Sequence, residues 1–73
     1  MIWRPVDDQE CKRKQCVRME RVTNDVGDVL GSVMQFNGDG IAYAIGRYSR
    51  LGPAPTFDRA KEMVERSLQG DRP

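Results

Sequence analysis

The chain has 73 residues, of which 38% are hydrophobic and 32% are charged, so it has the means to build only one thin core. Its 12 basic and 11 acidic side chains give a formal charge of +1, which removes the electrostatic argument for nucleic acid that a strongly basic chain supplies. Without histidine and with two cysteines, the chain lacks the commonest general base and a full set of zinc ligands. We expect no enzyme activity, no cofactor and no bound metal.

The two cysteines, Cys11 and Cys16, flank a basic run near the N-terminus. A disulfide between them would require an oxidising compartment, and residues 1–8 lack the apolar stretch of a signal peptide. The longest apolar run, residues 41–45, is far shorter than a membrane-spanning helix. The sequence therefore predicts a cytoplasmic protein with reduced thiols and no membrane association.

The N-terminal third is predicted to contain an arm, a loop and one strand. Residues 1–14 form the arm and a polar loop, because Pro5 suits an edge strand and residues 7–14 are almost entirely polar. Within residues 15–23, Val17 and Met19 alternate with polar side chains, which indicates a strand. Asparagine, aspartate and glycine at residues 24–28 then predict a turn.

The strongest local signal is a hairpin with strands at residues 29–36 and 41–49, joined by Asn-Gly-Asp-Gly at residues 37–40. By the two-residue period, the second strand has one face of small residues, Ala42, Ala44 and Gly46. The opposite face, together with its neighbours on the first strand, carries large apolar residues: Ile41, Tyr43, Ile45, Leu30, Met34 and Phe36. Either face is a possible side for a helix, and the large face is then core or binding surface.

The C-terminal third is predicted to be a loop followed by a helix. Residues 50–55 contain two prolines and a glycine, which break regular structure. Thr56 is a suitable N-cap for a helix over residues 57–69, which Gly70 ends. One stripe of that helix is apolar, formed by Phe57, Ala60, Met63, Val64 and Leu68. These elements predict one α+β domain over residues 1–73, with a three- to four-stranded antiparallel sheet within residues 15–49 packed on one C-terminal helix.

The C-terminal half resembles a pattern found in small phage and prophage proteins. It is carried by Gly46-Arg47-Tyr48, by the run from Pro55 to Glu65 (PTFDRAKEMVE) and by Trp3. Those proteins have a few strands with an early tryptophan, a Gly-x-Tyr or Gly-x-Phe strand end and a Thr-x-x-x-Ala-Lys helix. The resemblance implies an accessory protein of a mobile element and brings no active-site residues with it.

Two classes of binding function remain as predictions. The first is binding of a host or phage protein, for example as an anti-CRISPR-like inhibitor of a bacterial defence system, because aromatic and arginine side chains dominate interface hot spots. Its candidate residues are Trp3, Arg18, Tyr43, Arg47 and Tyr48. The alternative is nucleic-acid binding through the basic N-terminal segment and a sheet face, with the candidates Lys12, Arg13, Lys14, Arg18 and Arg21. Self-association as a homodimer is a further alternative.

Overall fold

One antiparallel sheet with a helix against each face forms the described part of the chain. The computed structural model describes residues 2–13, 15–36, 41–47 and 49–69. In chain order the elements are β1 (Ile2–Pro5), α1 (Asp8–Arg13), β2 (Arg18–Thr23), β3 (Val29–Gln35), β4 (Ala42–Ile45), β5 (Arg50–Ala54) and α2 (Phe57–Gln69). Each strand pairs antiparallel with the next, and the spatial order is β1-β2-β3-β4-β5.

This architecture confirms the predicted α+β class, the antiparallel sheet and the C-terminal helix, but the sheet has five strands rather than three to four. The N-terminal arm is the edge strand β1, paired with β2 from Ile2 opposite Thr23 to Pro5 opposite Glu20. β3 and β4 pair as the strands of the predicted hairpin do. Its turn, residues 37–40, lies outside the described residues.

Two predicted loops are wrong because they contain regular structure. The polar segment at residues 7–14 contains α1, whose first turn is supported by Asp7 Oδ1 accepting a hydrogen bond from the Gln9 amide at 3.2 Å. Residues 50–54 form the edge strand β5, where a proline such as Pro53 is tolerated. Gly52 has a φ of +113° and lies next to an irregularity in the β4–β5 pairing. The regular structure that a glycine-proline sequence is expected to break is thus interrupted only locally.

The helix α2 covers the face of the sheet that carries the small residues. Its apolar stripe buries Phe57, Ala60 and Val64, and Met63 and Leu68 pack at the margin. The sheet contributes the rest of this core, which is Val22, Val33, Ala42, Ala44 and Ala54. Periodicity does not indicate which face of β4 the helix covers. In the structure, Tyr43 and Ile45 lie on the face opposite α2.

Gly31 marks the closest approach of α2 to the sheet. A Cβ atom built on this residue would lie 2.7 Å from Val64 Cγ1 and 2.8 Å from the carbonyl oxygen of Ile45. Both distances are shorter than van der Waals contact, so the helix lies where only a glycine leaves room for it. The small side chains around this point keep the layer between helix and sheet thin.

Thr56 caps the N-terminus of α2. Its Oγ1 accepts a hydrogen bond from the Arg59 amide at 3.1 Å. We expect Thr56→Ala to lower the free energy of unfolding by about 1 kcal/mol, because an amide at the helix end loses its partner. Urea denaturation followed by circular dichroism measures this change. Thr56→Ser keeps the acceptor and should retain most of the stability, so equal losses in the two variants would contradict a capping role.

Candidate functional site

Two of the predicted partner-facing residues, Trp3 and Arg18, lie on the side of the sheet that α2 covers. Trp3 donates a hydrogen bond from Nε1 to Glu65 Oε2 at 2.8 Å. The guanidinium carbon of Arg18 lies 4.0 Å from the centroid of the Phe57 ring, a cation–π contact. Both side chains therefore join the sheet to α2.

Beside them, Glu20 links two cations of this layer. Its Oε1 accepts from Lys61 Nζ at 2.9 Å, and its Oε2 accepts from Arg18 Nη2 at 3.1 Å. Burial raises the pKa of the Glu20 carboxyl, but the hydrogen bonds from Lys61 and Arg18 and the charges of the two donors outweigh it. The net pKa of Glu20 therefore lies below its ordinary value.

This lowered pKa makes the fold sensitive to acid. The folded-state pKa of Glu20 is below its unfolded value, so the ionised carboxylate stabilises the fold fully above about pH 4.5, the ordinary pKa. This contribution is lost as the pH falls through the folded-state pKa. We expect the urea midpoint of the wild-type protein to fall more steeply below that pH than the midpoint of Glu20→Gln. Glu62→Gln, which removes an exposed ion pair with Arg59, is the matched control and should follow the wild type. Parallel acid limbs for wild type and Glu20→Gln would contradict the assignment.

The opposite face of the sheet is only partly covered. α1 lies against one end of it, where Cys11, Cys16 and Met19 are buried and Val6, Met34 and Phe36 pack beside them. Beyond α1, a groove of about 290 Å³ opens over β3, β4 and β5. Its lining is Met34, Phe36, Tyr43, Ala44, Ile45, Arg50 and Gly52, and we call it the open-face groove.

The register of the strands explains why these side chains meet. Met34 pairs with Tyr43 across β3 and β4, and directly opposed side chains lie on the same face of a sheet. The Phe36 and Tyr43 rings make an edge-to-face contact with their centroids 5.6 Å apart. Tyr43 is nevertheless 42% exposed. The groove thus has an aromatic wall that the described residues leave accessible.

Arginine side chains lie on β1, β2 and β5 of this face. Arg4 and Arg21 are directly opposed on β1 and β2, and Arg50 borders the groove on β5. Glu10 of α1 forms an ion pair with Arg21 and so offsets one charge of the opposed pair. The described strand residues on this face include no carboxylate, since the acid of the strands, Glu20, lies on the α2 side. The face as a whole is apolar in the middle and positive at its edge.

The structure separates the predicted sites into three groups. Tyr43 stands in the open-face groove, whereas Trp3 and Arg18 lie on the α2 side. Arg47 is exposed at the bend after β4. Tyr48, like Lys14, lies outside the described residues.

The predicted nucleic-acid candidates also fall on different surfaces. Lys12 and Arg13 are exposed in the last turn of α1, and Arg21 is on the same side of the sheet. Arg18 is on the other side, so the four candidates that the structure describes do not form one patch. The residues that sequence reasoning did not select are Arg4 and Arg50, whose location depends on strand pairings that composition does not indicate.

The described residues hold neither a metal-binding cluster nor a membrane-spanning helix. Within the described ranges, no three or more cysteine, aspartate or glutamate side chains cluster in a way that would hold a metal ion. Over the same ranges, no helix has the length and apolar character needed to cross a membrane. Comparison of the chain with protein-family models, with curated proteins and with solved structures finds no match.

Proposed function

We propose that this chain is a small binding protein that docks a partner protein on its open-face groove. The observation that carries the proposal is an apolar, aromatic groove on the part of a sheet face that neither helix covers. A solvated sheet face normally alternates to polar side chains, and here Met34, Tyr43 and Ile45 occupy those positions. Contiguous apolar surface with a polar border is typical of protein interaction sites.

The partner chemistry follows from the lining and its border. The aromatic wall of Phe36 and Tyr43 suits an aliphatic or aromatic anchor side chain, since such anchors fill central pockets of interfaces. Arg50 at the border, with Arg4 and Arg21 further along the face, favours carboxylates beside that anchor. We therefore propose a partner segment with an apolar anchor flanked by acidic residues.

In biological terms, we propose the role of a phage or mobile-element accessory protein that inhibits a host system, in the manner of an anti-CRISPR protein. Such inhibition requires only a surface that occupies a site on its target. The support is the resemblance of the C-terminal half to small phage proteins, together with a groove suited to a protein anchor.

Affinity capture tests this proposal if the capture depends on the groove. Tagged wild-type protein and a Tyr43→Ala variant are incubated with nuclease-treated bacterial lysate, and the retained proteins are identified by mass spectrometry. Val26→Ala is the matched control, because Val26 is an apolar side chain that is 81% exposed in the β2–β3 turn, outside the groove. We expect a stoichiometric partner with wild type and Val26→Ala that is lost with Tyr43→Ala. A partner retained equally by all three would contradict docking in the groove.

Nucleic-acid binding is the second candidate, and one observation favours it. Arg50 lines the same groove as the Phe36 and Tyr43 rings, and single-stranded nucleic acids stack bases on aromatic side chains beside a basic surface. Lys12 and Arg13 of α1 would extend that surface.

This candidate predicts a strong dependence of affinity on salt. If it holds, fluorescence anisotropy with a labelled single-stranded oligonucleotide should show affinity that falls steeply as salt rises. Joint replacement of Lys12, Arg13 and Lys14 by alanine should then weaken binding to all sequences and flatten the salt slope. Absence of binding at low salt, or an unchanged slope in the triple variant, would remove it.

A further inference from the structure

The chain segment that ends α1 is a tight, hydrogen-bonded turn with a cysteine at each end. The Cys16 amide donates to the Cys11 carbonyl at 3.1 Å, and the Gln15 amide donates to the Lys12 carbonyl at 3.0 Å. Gln15 has a φ of 60°, in the left-handed region. These two hydrogen bonds around a left-handed residue define a Schellman motif.

In a Schellman motif, the residues joined by the outer hydrogen bond bring their side chains into contact. Here those residues are Cys11 and Cys16, and their sulfur atoms lie 2.8 Å apart. Cys11 Sγ also donates to the Cys16 carbonyl at 3.0 Å. The backbone of the turn, independently of the sulfurs themselves, thus holds the two thiols together.

We propose that Cys11 and Cys16 are a modification site, a dithiol that forms a reversible intramolecular disulfide. Each residue is 8% exposed, so limited access to the sulfur atoms slows the exchange without changing the equilibrium constant that the turn sets. Lys12 and Arg13 are exposed beside the pair and attract an anionic disulfide such as oxidised glutathione. The cysteines neighbour the open-face groove, since Met34 and Phe36 pack beside them and also line it.

The exchange proceeds in two displacement steps. One cysteine, as its thiolate, attacks a sulfur of oxidised glutathione, so that a mixed disulfide forms and one glutathione thiolate leaves. The second cysteine thiolate then attacks the protein sulfur of the mixed disulfide and expels the second glutathione. Two electrons pass from the protein thiols to the oxidant, and the two thiol protons end on the released glutathione molecules or in solvent.

The test is a redox titration of the purified protein in glutathione buffers, followed by thiol trapping and intact-mass measurement. The product expected is a monomer lighter by two hydrogen atoms. The folded turn holds the two thiols together. The equilibrium constant for forming the disulfide should therefore be about tenfold or more larger in the folded protein than in the same chain in urea. An equal or smaller constant in the folded protein would overturn the proposal, as would a product dominated by mixed disulfides or by disulfide-linked dimers.

Substitutions at Gln15 test whether the turn geometry, and not only the short sequence separation of the cysteines, favours the disulfide. Gln15→Gly suits the left-handed conformation and should keep the oxidation constant at or above the wild-type value. Gln15→Val disfavours that conformation, and we expect its constant to fall several-fold toward the value measured in urea. The same constant in both variants would contradict the role assigned to the turn.

Discussion

Replacing Tyr43 by alanine is expected to weaken partner binding by about 2 kcal/mol or more, roughly 30-fold in Kd, because it removes an accessible aromatic wall of the groove. The protein itself should lose only about 1 kcal/mol of stability, since the substitution breaks the edge-to-face contact with Phe36 and little buried packing. Titration of the captured partner, with urea denaturation of the same variant, measures both effects.

A charge reversal tests the border of the groove separately. Arg50→Glu should weaken an acid-flanked partner, and the loss should shrink at high salt because the attraction is electrostatic. Arg66→Glu is the matched control, since Arg66 is an exposed arginine of α2 on the opposite face. Equal losses in the two variants would indicate an effect of net charge alone.

The captured partner is a second copy of the chain if the protein self-associates through the groove. In that case the melting temperature of the wild-type protein should rise with protein concentration, and that of Tyr43→Ala should not.

Gly31→Ala is expected to destabilise the fold by about 1–3 kcal/mol, because the new methyl group overlaps Val64 and the Ile45 carbonyl. Gly46→Ala is the control, since a Cβ there would lie 3.3 Å from the nearest atom, the Ser49 carbonyl oxygen, and should cost less. Thermal and urea unfolding of the two variants compare the losses. A loss in Gly31→Ala no larger than in Gly46→Ala would contradict the close approach of α2.

A double-mutant cycle identifies the overlapping partner. Val64→Ala alone should destabilise the protein, because Val64 is fully buried and its truncation leaves a cavity. In combination with Gly31→Ala, the two losses should sum to less than additive, with a coupling of about 0.5–3 kcal/mol. Strict additivity would mean that the Ile45 carbonyl alone resists the methyl group.

Local sequence signals predict those elements that depend on short-range chemistry. The hairpin strands follow from alternation around an Asn-Gly turn, and α2 follows from a threonine cap and one apolar stripe. α1 escapes prediction because six residues are too few to show a helical period. β5 escapes because its glycine and proline, with Pro55 just after it, indicate a loop, whereas pairing with β4 forms a strand there.

The site is predictable to a similar degree. Alternation puts Tyr43 and Ile45 on one face, with Met34 and Phe36 beside them, but it does not say which face α2 covers. Alternation also groups Leu30 with them, yet Leu30 packs against the α2 core, because the β2–β3 register shifts between Val22 and Thr23. Strand register also puts Trp3 and Arg18 on the α2 side. Trp3, for example, pairs with the buried Val22.

The thin layer beneath α2 separates two demands on this sheet. Glycine and alanine residues at the contact bring α2 close to the sheet. The large apolar side chains that line the open-face groove lie on the opposite face, so they contribute little to holding α2. Substitutions of Met34 or Tyr43, whose side chains lie on that opposite face, are therefore expected to leave the docking of α2 intact. If the groove binds a partner as proposed, a change of its exposed lining therefore alters specificity without repacking α2.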